Sequence, residues 1–464
     1  MSAGLDIALA RPRRGRPPAR NEILRNGRLG GLDPEALAAM WGTPLYVYDL
    51  DVVDGQVDAL RAALPARFDV AYAVKANPSL GVVAHLGRRG LGADVASLGE
   101  LQTALRAGIA PDRIVMTGPG KRDEELHAAV ATGIRALTVE SRGELRRLEQ
   151  MARDADRPVP VLLRAAVPAA RALERVRLVG DDGAGKFGLD RADLPEAARI
   201  AAASPFLDLL GIHAFGASNV TDASALARHV ADTLALAAEI ARATATPFSL
   251  VDVGGGLGIP YESGEESLDL AGLARQLERI AAEWTTLPEL RDATILLEPG
   301  RFLVGPSGAY VARVVDRKLV DGRTVAILDG GVHHLLRPAL VGQEHRVRRL
   351  TGSATDAPAR FAPVTIAGPL CSGLDVFATE TMVQPPEPGD LVAVLDVGAY
   401  GFTESMPFFL SHPVPAEVAV RDGRAFLLRP RLNPGEWLAW QVPLPGDPER
   451  EPSSRASGCS SRRG

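Results

Sequence analysis

The chain has 464 residues, of which 46% are hydrophobic and 23% charged, so it can bury a large core in two domains or in one large one. A net charge of -5, with basic stretches confined to the two ends, argues against binding to nucleic acid or to an anionic membrane. No apolar run is long enough to span a bilayer, the first residues lack a secretory signal, and two cysteines are too few for a disulfide framework, which together predict a cytoplasmic protein.

Changes in pattern along the chain predict five parts. A basic, polar arm opens the sequence, and the short strand TPLYVYDLD follows and is expected to join the second domain. The end of the chain is a polar tail that contains Cys459. The predicted parts are a disordered arm (1–22), an N-terminal strand segment (23–50), a barrel (51–297), a β domain (298–445) and a disordered tail (446–464).

Eight apolar, strand-like runs lie in the predicted barrel, and Ala/Leu/Arg-rich helical stretches separate most of them. They are DVAYAVKA, GLGADVAS, RIVMTGP, IRALTVES, VPVLLRAAV, LDLLGIHAF, FSLVDVGGG and ATILLEPG. Such alternation is typical of parallel βαβ units, and eight of them predict an α/β fold with a TIM-type (β/α)₈ barrel. After Glu298, shorter strands with Gly and Pro turns predict a mostly antiparallel β domain.

Polar and glycine residues fall at the predicted carboxyl ends of these strands, where barrel enzymes place their chemistry. They are Lys75, Asp94, His213, Phe215, Gly254 to Gly256, and Glu298. Lys75, in AYAVKAN, has two interpretations. Either it reaches solvent or pairs with a carboxylate, or it is a desolvated amine of lowered pKa that forms a Schiff base with an aldehyde such as pyridoxal phosphate.

Three further motifs each allow a functional and a structural interpretation. The glycine run in VDVGGGLG could cradle a phosphate or form a tight turn. In LLEPGRFLV, Glu298 could keep a pyridinium nitrogen protonated and Arg301 could bind a phosphate, or the two could form a structural ion pair. Cys371, in AGPLCSGLD, could be catalytic or an inert small hydrophobe.

Taken together, ordered motifs between about residues 40 and 430 are far more specific. They are AYAVKAN, ADVASLGEL, GIHAFGASN, DVGGGLG, LEPGRFLV, GPLCSGLD and VGAYGF. This set resembles the fold type III pyridoxal-phosphate-dependent decarboxylases, whose barrel is alanine-racemase-like and which include diaminopimelate, ornithine and arginine decarboxylases. The resemblance implies that Lys75 carries the cofactor, and that Cys371 is a catalytic residue supplied by the partner subunit of a homodimer.

The resemblance also implies roles for the remaining motif residues. Glu298 would meet the pyridine nitrogen, and Asp375 would help to place the substrate amine. The implied cofactor-binding set is Lys75, Asp94, Phe215, Ser218, Gly255, Gly256, Glu298, Arg301 and Tyr400. In the implied reaction the protonated ring accepts the electrons released as the α-carboxylate leaves as CO₂, and Cys371 returns a proton.

Departures from the family's pattern bear on the substrate. Ser372 stands where the free-diamine enzymes have an acidic residue, so a distal ammonium would lack its charge partner. Phe215 replaces a histidine that packs on the cofactor ring, with His213 two residues before it. Arg337 matches an arginine that diaminopimelate enzymes use for a substrate carboxylate. Three neighbouring positions differ from those enzymes: Val341 and Phe409 replace tyrosines, and His412 replaces an arginine.

These features are similar to a subgroup from secondary metabolism that decarboxylates an acidic amino acid held as a thioester on an acyl carrier protein. We therefore expect α-decarboxylation of a carrier-bound or otherwise masked amino acid, with free diaminopimelate as the alternative substrate. A racemase would have arginine in place of Glu298, and a non-catalytic pyridoxal phosphate carrier would not need Cys371 or Tyr400. His333 and His334 are not expected to bind a metal, because neighbouring side chains on a strand point to opposite faces.

Overall fold

The computed structural model describes residues 22–167, 185–262, 264–284, 286–350, 361–442 and 444. The predicted disordered arm up to residue 21, and the tail that contains Cys459, lie outside these residues, so their disorder stays a prediction. Within the described ranges, no helix combines the length and the apolar character needed to cross a membrane.

The N-terminal segment forms a small hairpin, a helix and one long-range strand. The hairpin pairs β1 (Leu24–Arg25) with β2 (Arg28–Leu29). Helix α1 (Pro34–Trp41) begins after Asp33, whose side chain caps it by accepting the backbone N–H of Glu35. Every residue of strand β3 is buried, so this strand belongs to the interior of a sheet. Its bounds are Leu45–Asp49.

Eight parallel strands close into a barrel. They are β4 (Phe68–Ala73), β5 (Gly92–Val95), β6 (Ile114–Met116), β7 (Ala136–Val139), β8 (Val159–Arg164), β9 (Leu207–His213), β10 (Leu250–Asp252) and β11 (Thr294–Leu297). Each pairs with its neighbours along the chain, and β11 pairs with β4 to complete the ring. Each of the eight predicted runs overlaps one of these strands, so the predicted (β/α)₈ barrel is confirmed.

Eight helices alternate with the barrel strands in the described part of the chain. They are α2 (Leu50–Ala63), α3 (Leu80–Arg88), α4 (Leu98–Arg106), α5 (Asp123–Thr132), α6 (Arg142–Asp154), α7 (Leu194–Ala203), α8 (Ala223–Thr244) and α9 (Leu270–Trp284). Asp222 starts α8 by accepting two backbone N–H groups, and Ala227, Val230, Leu234 and Ala241 form part of its buried stripe. The barrel core therefore lies between this helical layer and the strands.

The second domain is a sheet of nine strands: β3, which precedes the barrel, and eight strands that follow it. Its elements are α10 (Arg301–Val304), β12 (Gly308–Val320), β13 (Arg323–Leu328), α11 (Arg337–Val341), β14 (Val347–Arg349), β15 (Ala362–Ala367), β16 (Val376–Val383), β17 (Leu391–Leu395), β18 (Ala416–Arg421), β19 (Arg424–Arg429) and α12 (Pro434–Leu438). The order is β16-β15-β13-β12-β3-β18-β19; off this path, β17 pairs with β12 and β14 pairs with β17. Among the described pairings, β13–β15 and β18–β3 are parallel and the others antiparallel, which confirms the mostly antiparallel prediction.

One inference about side-chain geometry is wrong. His333 and His334 were expected on a strand with opposed side chains, but they lie in a turn after β13. Their ring centroids are 3.6 Å apart, and the ring of His412 packs 5.0 Å from that of His333. The turn, unlike an extended strand, lets consecutive side chains point to the same side.

The lowered pKa of His345 should make the stability of the second domain depend on pH. Burial lowers the pKa of His345 from 6.5 to about 4, although its Nδ1 hydrogen-bonds the carbonyl of Leu395 at 2.9 Å. The unfolded chain takes up this proton below about pH 6.5 and the folded chain only below about pH 4. The stability that depends on a neutral His345 is therefore fully present above pH 6.5 and is lost as the pH falls toward 4. At pH 5 the free energy of unfolding is lower by about 2 kcal/mol.

Replacing His345 by asparagine keeps an N–H donor for Leu395 and removes the titration. We expect the melting temperature of His345→Asn to fall by about 2–4 °C less than that of the wild type between pH 7.5 and about pH 5. Thermal unfolding followed by circular dichroism at both pH values checks this. Parallel pH profiles for the two proteins would contradict it.

Candidate active site

Lys75 lies just beyond the carboxyl end of β4, in a 3₁₀ turn formed by Val74–Ala76. Its Nζ is 2.8 Å from Oδ2 of Asp94, which lies on the neighbouring strand β5 and is almost fully buried. The other oxygen of Asp94 accepts the hydroxyl of Thr117 at 2.5 Å. The side chain of Lys75 is 45% exposed and lines a cavity. The amine is therefore held by Asp94 and is accessible from that cavity.

The pKa of Lys75 is raised, whereas one interpretation of the sequence expects it to be lowered. Burial acts to lower its pKa, but the carboxylates of Asp94 and Glu298 outweigh that effect and raise the pKa well above its ordinary value. The hypothesis of an amine with a lowered pKa is therefore wrong. The alternative, pairing with a carboxylate, is the one observed, and the carboxylate is that of Asp94.

Glu298 directly follows β11 and belongs to a buried cluster of three ionisable groups. His213 Nε2 is 3.5 Å from Glu298 Oε2, and each of these side chains, like that of Asp252, is almost fully buried. Burial would raise the pKa of Glu298, but His213, followed by Lys75, lowers it to about 2. Burial and the charge of Glu298 raise the pKa of Asp252 well above its ordinary value. These shifts favour an ionised Glu298 beside a neutral Asp252.

The same three residues have the geometry of a candidate metal site, since one ligand atom from each lies within 4.8 Å of the others. Asp252 already uses Oδ1 to accept the backbone N–H of Gly254 at 2.8 Å. A neutral Asp252 is a poor ligand for a cation, because carboxylates bind metals in the deprotonated form. We therefore interpret the cluster as a means of keeping Glu298 ionised.

Arg301 carries the positive charge at another side of the cavity. Its guanidinium donates to the hydroxyl of Tyr261 at 2.7 Å and lies 3.4 Å from the hydroxyl of Ser218. It also lies 4.8 Å from the ring centroid of Tyr400, a cation–π distance. A buried arginine next to two hydroxyl groups and a glycine run is suited to binding a phosphate.

The glycine run after β10 packs closely against the rest of the site. A Cβ on Gly255 would lie 2.2 Å from the carbonyl oxygen of Glu298, and Gly256 has a φ of +88°. Both positions therefore require glycine. Phe215 lies against the same run and lines the cavity.

A loop of the second domain, residues 398–406, closes one wall of the cavity. The backbone N–H of Tyr400 donates to the carbonyl of Ala76 at 2.8 Å, and the side chain of Asn77 donates to the carbonyl of Gly398 at 3.1 Å. On the barrel side, the acceptor Ala76 and the donor Asn77 follow Lys75 directly in the chain. The two domains therefore meet where the reactive amine is fixed.

The predicted residues divide into two groups in the structure. Nine surround a cavity of about 290 Å³: Lys75, Phe215, Ser218, Gly255, Gly256, Glu298, Arg301, Arg337 and Tyr400. Asp94 is not among the lining residues but accepts a hydrogen bond from Lys75. Cys371, Ser372 and Asp375 do not line this cavity within the single chain that the structure describes.

The Cys371 loop has a different structural setting. Cys371 is a free, exposed thiol, and Leu374 beside it is 65% exposed. Asp375 is buried, and its carboxylate accepts the backbone N–H groups of Val332 and Leu370, both at 2.7 Å. Asp375 thus fixes the shape of the loop in this chain, and its implied contact with a substrate amine stays a prediction.

Sequence reasoning missed several cavity residues. They are Thr117, Arg164, Phe187 and Glu404, together with Asp252 and Tyr261, which support the charged groups. Asp252 carried a signal, because it ends a buried strand two residues before the glycine run. Glu404 carried none, because nothing local in ESMPFF indicates that it faces a site.

Comparison with known proteins identifies the family. Residues 50–305 match the family described as "Pyridoxal-dependent decarboxylase, pyridoxal binding domain". The chain belongs to the pyridoxal-dependent decarboxylases. It is 35% identical to the diaminopimelate decarboxylase of Methanothermobacter thermautotrophicus over 419 residues, which is 89% of this chain and 95% of that protein. The fold type III decarboxylase predicted from sequence is confirmed at the level of the family.

Two further relatives of this pyridoxal-dependent decarboxylase bear on its substrate. It is 30% identical over 413 residues to the L-glutamyl-[BtrI acyl-carrier protein] decarboxylase of Niallia circulans, covering 88% of this chain and 95% of that one. The structure of diaminopimelate decarboxylase from M. jannaschii in complex with L-lysine superposes with a TM-score of 0.82 and 27% identity, over 91% of this chain and 98% of that one.

The cofactor of this decarboxylase is pyridoxal phosphate, and the cavity residues fit it. Glu298 Oε1 and Arg301 Nε are buried polar atoms without hydrogen-bond partners among the described residues. One is an anion suited to a protonated pyridine nitrogen, and the other belongs to a cation suited to a phosphate. Lys75 lines the same cavity, with an amine that can react with an aldehyde.

The neutral state of Asp252 can be tested by two substitutions. Asp252→Asn keeps both the neutral charge and an acceptor for Gly254 N–H, so we expect its unfolding free energy to change by less than about 0.5 kcal/mol. Asp252→Ala leaves that buried N–H without an acceptor and should cost about 2 kcal/mol. Thermal unfolding of both variants at pH 7.5 measures this. An asparagine variant as unstable as the alanine variant would show that Asp252 is ionised.

Proposed function

We propose that this pyridoxal-dependent enzyme removes the α-carboxylate of free diaminopimelate. The observation that carries the proposal is Arg337, a buried cation that lines the same cavity as Lys75. A cation at this place can hold a second carboxylate, at the end of the substrate that does not react. The similarity to diaminopimelate decarboxylases over most of the chain supports the same substrate.

The proposed roles of the cavity residues follow from charge and position. Lys75 would hold the cofactor through its amine, Glu298 would meet the ring nitrogen, and Arg301, Ser218 and the glycine run would bind the phosphate. Bound pyridoxal phosphate supplies a sink for the electron pair left when the Cα–carboxylate bond breaks and CO₂ departs. His213 is the larger of the two charges that lower the pKa of Glu298, and it supports an anionic Glu298 opposite a protonated ring nitrogen.

A masked substrate is the second candidate, and Ser372 favours it. Ser372 offers no charge to a distal ammonium, so a substrate with a neutral thioester at that end avoids an unpaired charge. The relative named L-glutamyl-[BtrI acyl-carrier protein] decarboxylase adds support. The preference for a carrier-bound substrate, drawn from the sequence, has less support than free diaminopimelate because most of the similar proteins named here act on the latter.

A direct substrate comparison tests the proposal. The purified protein with pyridoxal phosphate is offered free meso-diaminopimelate in one reaction and glutamyl or aspartyl thioesters of a carrier protein in another. We expect CO₂ release and L-lysine formation from diaminopimelate, with loss of 44 mass units measured by mass spectrometry (about the mass of CO₂). Mass loss from the thioesters alone would reject this proposal in favour of the second candidate.

We further propose that two copies of the chain share their active sites, with Cys371 of one copy acting in the cavity of the other. Its thiol is exposed and lies outside the cavity of its own chain, which supports delivery to a neighbour. In that position Cys371 is the proton donor to Cα after CO₂ has left. Leu374, exposed in the same loop, supplies apolar surface for such a contact.

Mixing two inactive variants tests the shared site. Lys75→Ala and Cys371→Ala should each lose most activity, and the Lys75 variant should also lose the visible absorption band of the bound cofactor. Random reassociation of the two should restore about a quarter of wild-type activity, because half of the dimers then contain one intact site of two. Lys318→Ala, at an exposed lysine of β12, is the control for loss of a lysine. No recovery on mixing would contradict the shared site.

A further inference from the structure

Arg337 does not present an isolated positive charge to the cavity. Its Nη1 lies 2.6 Å from Oε2 of Glu404, and its Nε donates to the side chain of Gln343 at 3.0 Å. The side chain of Arg337 is 3% exposed and that of Glu404 is 27% exposed. Both residues line the cavity that contains Lys75. The cavity wall therefore contains an ion pair whose acidic member is the more accessible one.

The backbone around Glu404 is held in place independently of the ion pair. The hydroxyl of Ser405 donates to the carbonyl of Gly401 at 2.6 Å and accepts the N–H of Leu336 at 3.0 Å. The N–H of Met406 donates to the carbonyl of His333 at 3.1 Å. These bonds join the segment that contains Glu404 to the segment that precedes Arg337. The pair is thus a fixed feature of the wall rather than a chance contact of two long side chains.

A fixed ion pair selects differently from a single arginine. A substrate that offers only a carboxylate must compete with Glu404 for the guanidinium, and one that offers only an ammonium must compete with Arg337 for the carboxylate. A zwitterionic group can satisfy both residues at once, with its carboxylate on Arg337 and its ammonium on Glu404. Such a group leaves neither charge of the wall without a partner.

We propose that Glu404 is a specificity-determining residue that accepts the distal ammonium of a substrate whose far end is an α-amino acid group. This inference rests on the proposed function and explains how a chain with Ser372 can still recognise diaminopimelate. The missing acidic charge after Cys371 is supplied from the second domain of the same chain. Arg337 binds the carboxylate at that end, so Arg337 and Glu404 together recognise the distal zwitterion.

The test compares two probes that differ at the distal end. meso-Diaminopimelate has both distal groups, and 2-aminopimelate has the carboxylate without the ammonium. The variant Glu404→Gln has nearly the same shape and still accepts a hydrogen bond from Arg337, so the wall keeps its form. Glu344→Gln, at an exposed glutamate near the same segment that is not among the cavity residues, is the matched control.

For the wild type we expect kcat/KM for diaminopimelate to exceed that for 2-aminopimelate by about tenfold or more. In Glu404→Gln the value for diaminopimelate should fall by about 10- to 100-fold, mainly through KM, while that for 2-aminopimelate changes by less than about threefold. Where 2-aminopimelate turns over too slowly, its inhibition constant against diaminopimelate replaces kcat/KM. The control should match the wild type on both probes.

Equal losses on the two probes would overturn the inference, because Glu404 would then act only by holding Arg337. In that case diaminopimelate turnover by the wild type would leave the proposed function standing. A wild type that decarboxylates carrier thioesters but not diaminopimelate would overturn both, since no distal ammonium would remain to be bound. The two failures are therefore distinguished by the wild-type measurement alone.

Discussion

The electrostatic balance around Glu298 is the constraint on which the rest of the site depends. A carboxylate buried at the end of β11 would ordinarily take up a proton, because its charged form loses solvation. His213 and the ammonium of Lys75 reverse that tendency, and Asp252 takes the neutral form instead. The closed barrel brings these groups together from β9, β10, β11 and the turn after β4. Without closure of the sheet, no single strand could assemble this set of charges.

The same balance explains why so many polar groups are tolerated at one end of the barrel. Asp94 is satisfied by Lys75 and Thr117, and Arg164 pairs with Glu140 at 2.7 Å. Unpaired buried charges are strongly destabilising, so each removal of a partner affects its neighbours as well. Among the buried atoms that lack partners in the described part of the chain, Glu298 Oε1 and Arg301 Nε belong to residues that line the cavity. A bound cofactor can satisfy these two groups.

Much of the fold and part of the site could be predicted from sequence. The barrel strands were predictable because buried parallel strands are continuous apolar runs. Lys75 and Glu298 follow the carboxyl ends of two of these strands, which places them at one face of the barrel. The charge state of Lys75 was not predictable, because it depends on the distance to Asp94, 19 residues away. The position of Glu404 was equally hidden, since it follows from hydrogen bonds that link two distant turns. Contacts between the two domains have no local sequence period and so escape pattern analysis.

The attachment of the 398–406 loop to the turn that contains Lys75 has a consequence for how such an enzyme can change. Lys75 and Glu298 reside on the barrel, whereas Arg337 and Glu404 are supplied by the other domain. The bond from Tyr400 to Ala76 fixes the distance between these two sets without requiring either to alter the other. The residues proposed to hold the pyridine ring and the pair proposed to select the substrate therefore lie on separate structural modules, so loops of the β domain can change while Lys75 and Glu298 stay in place.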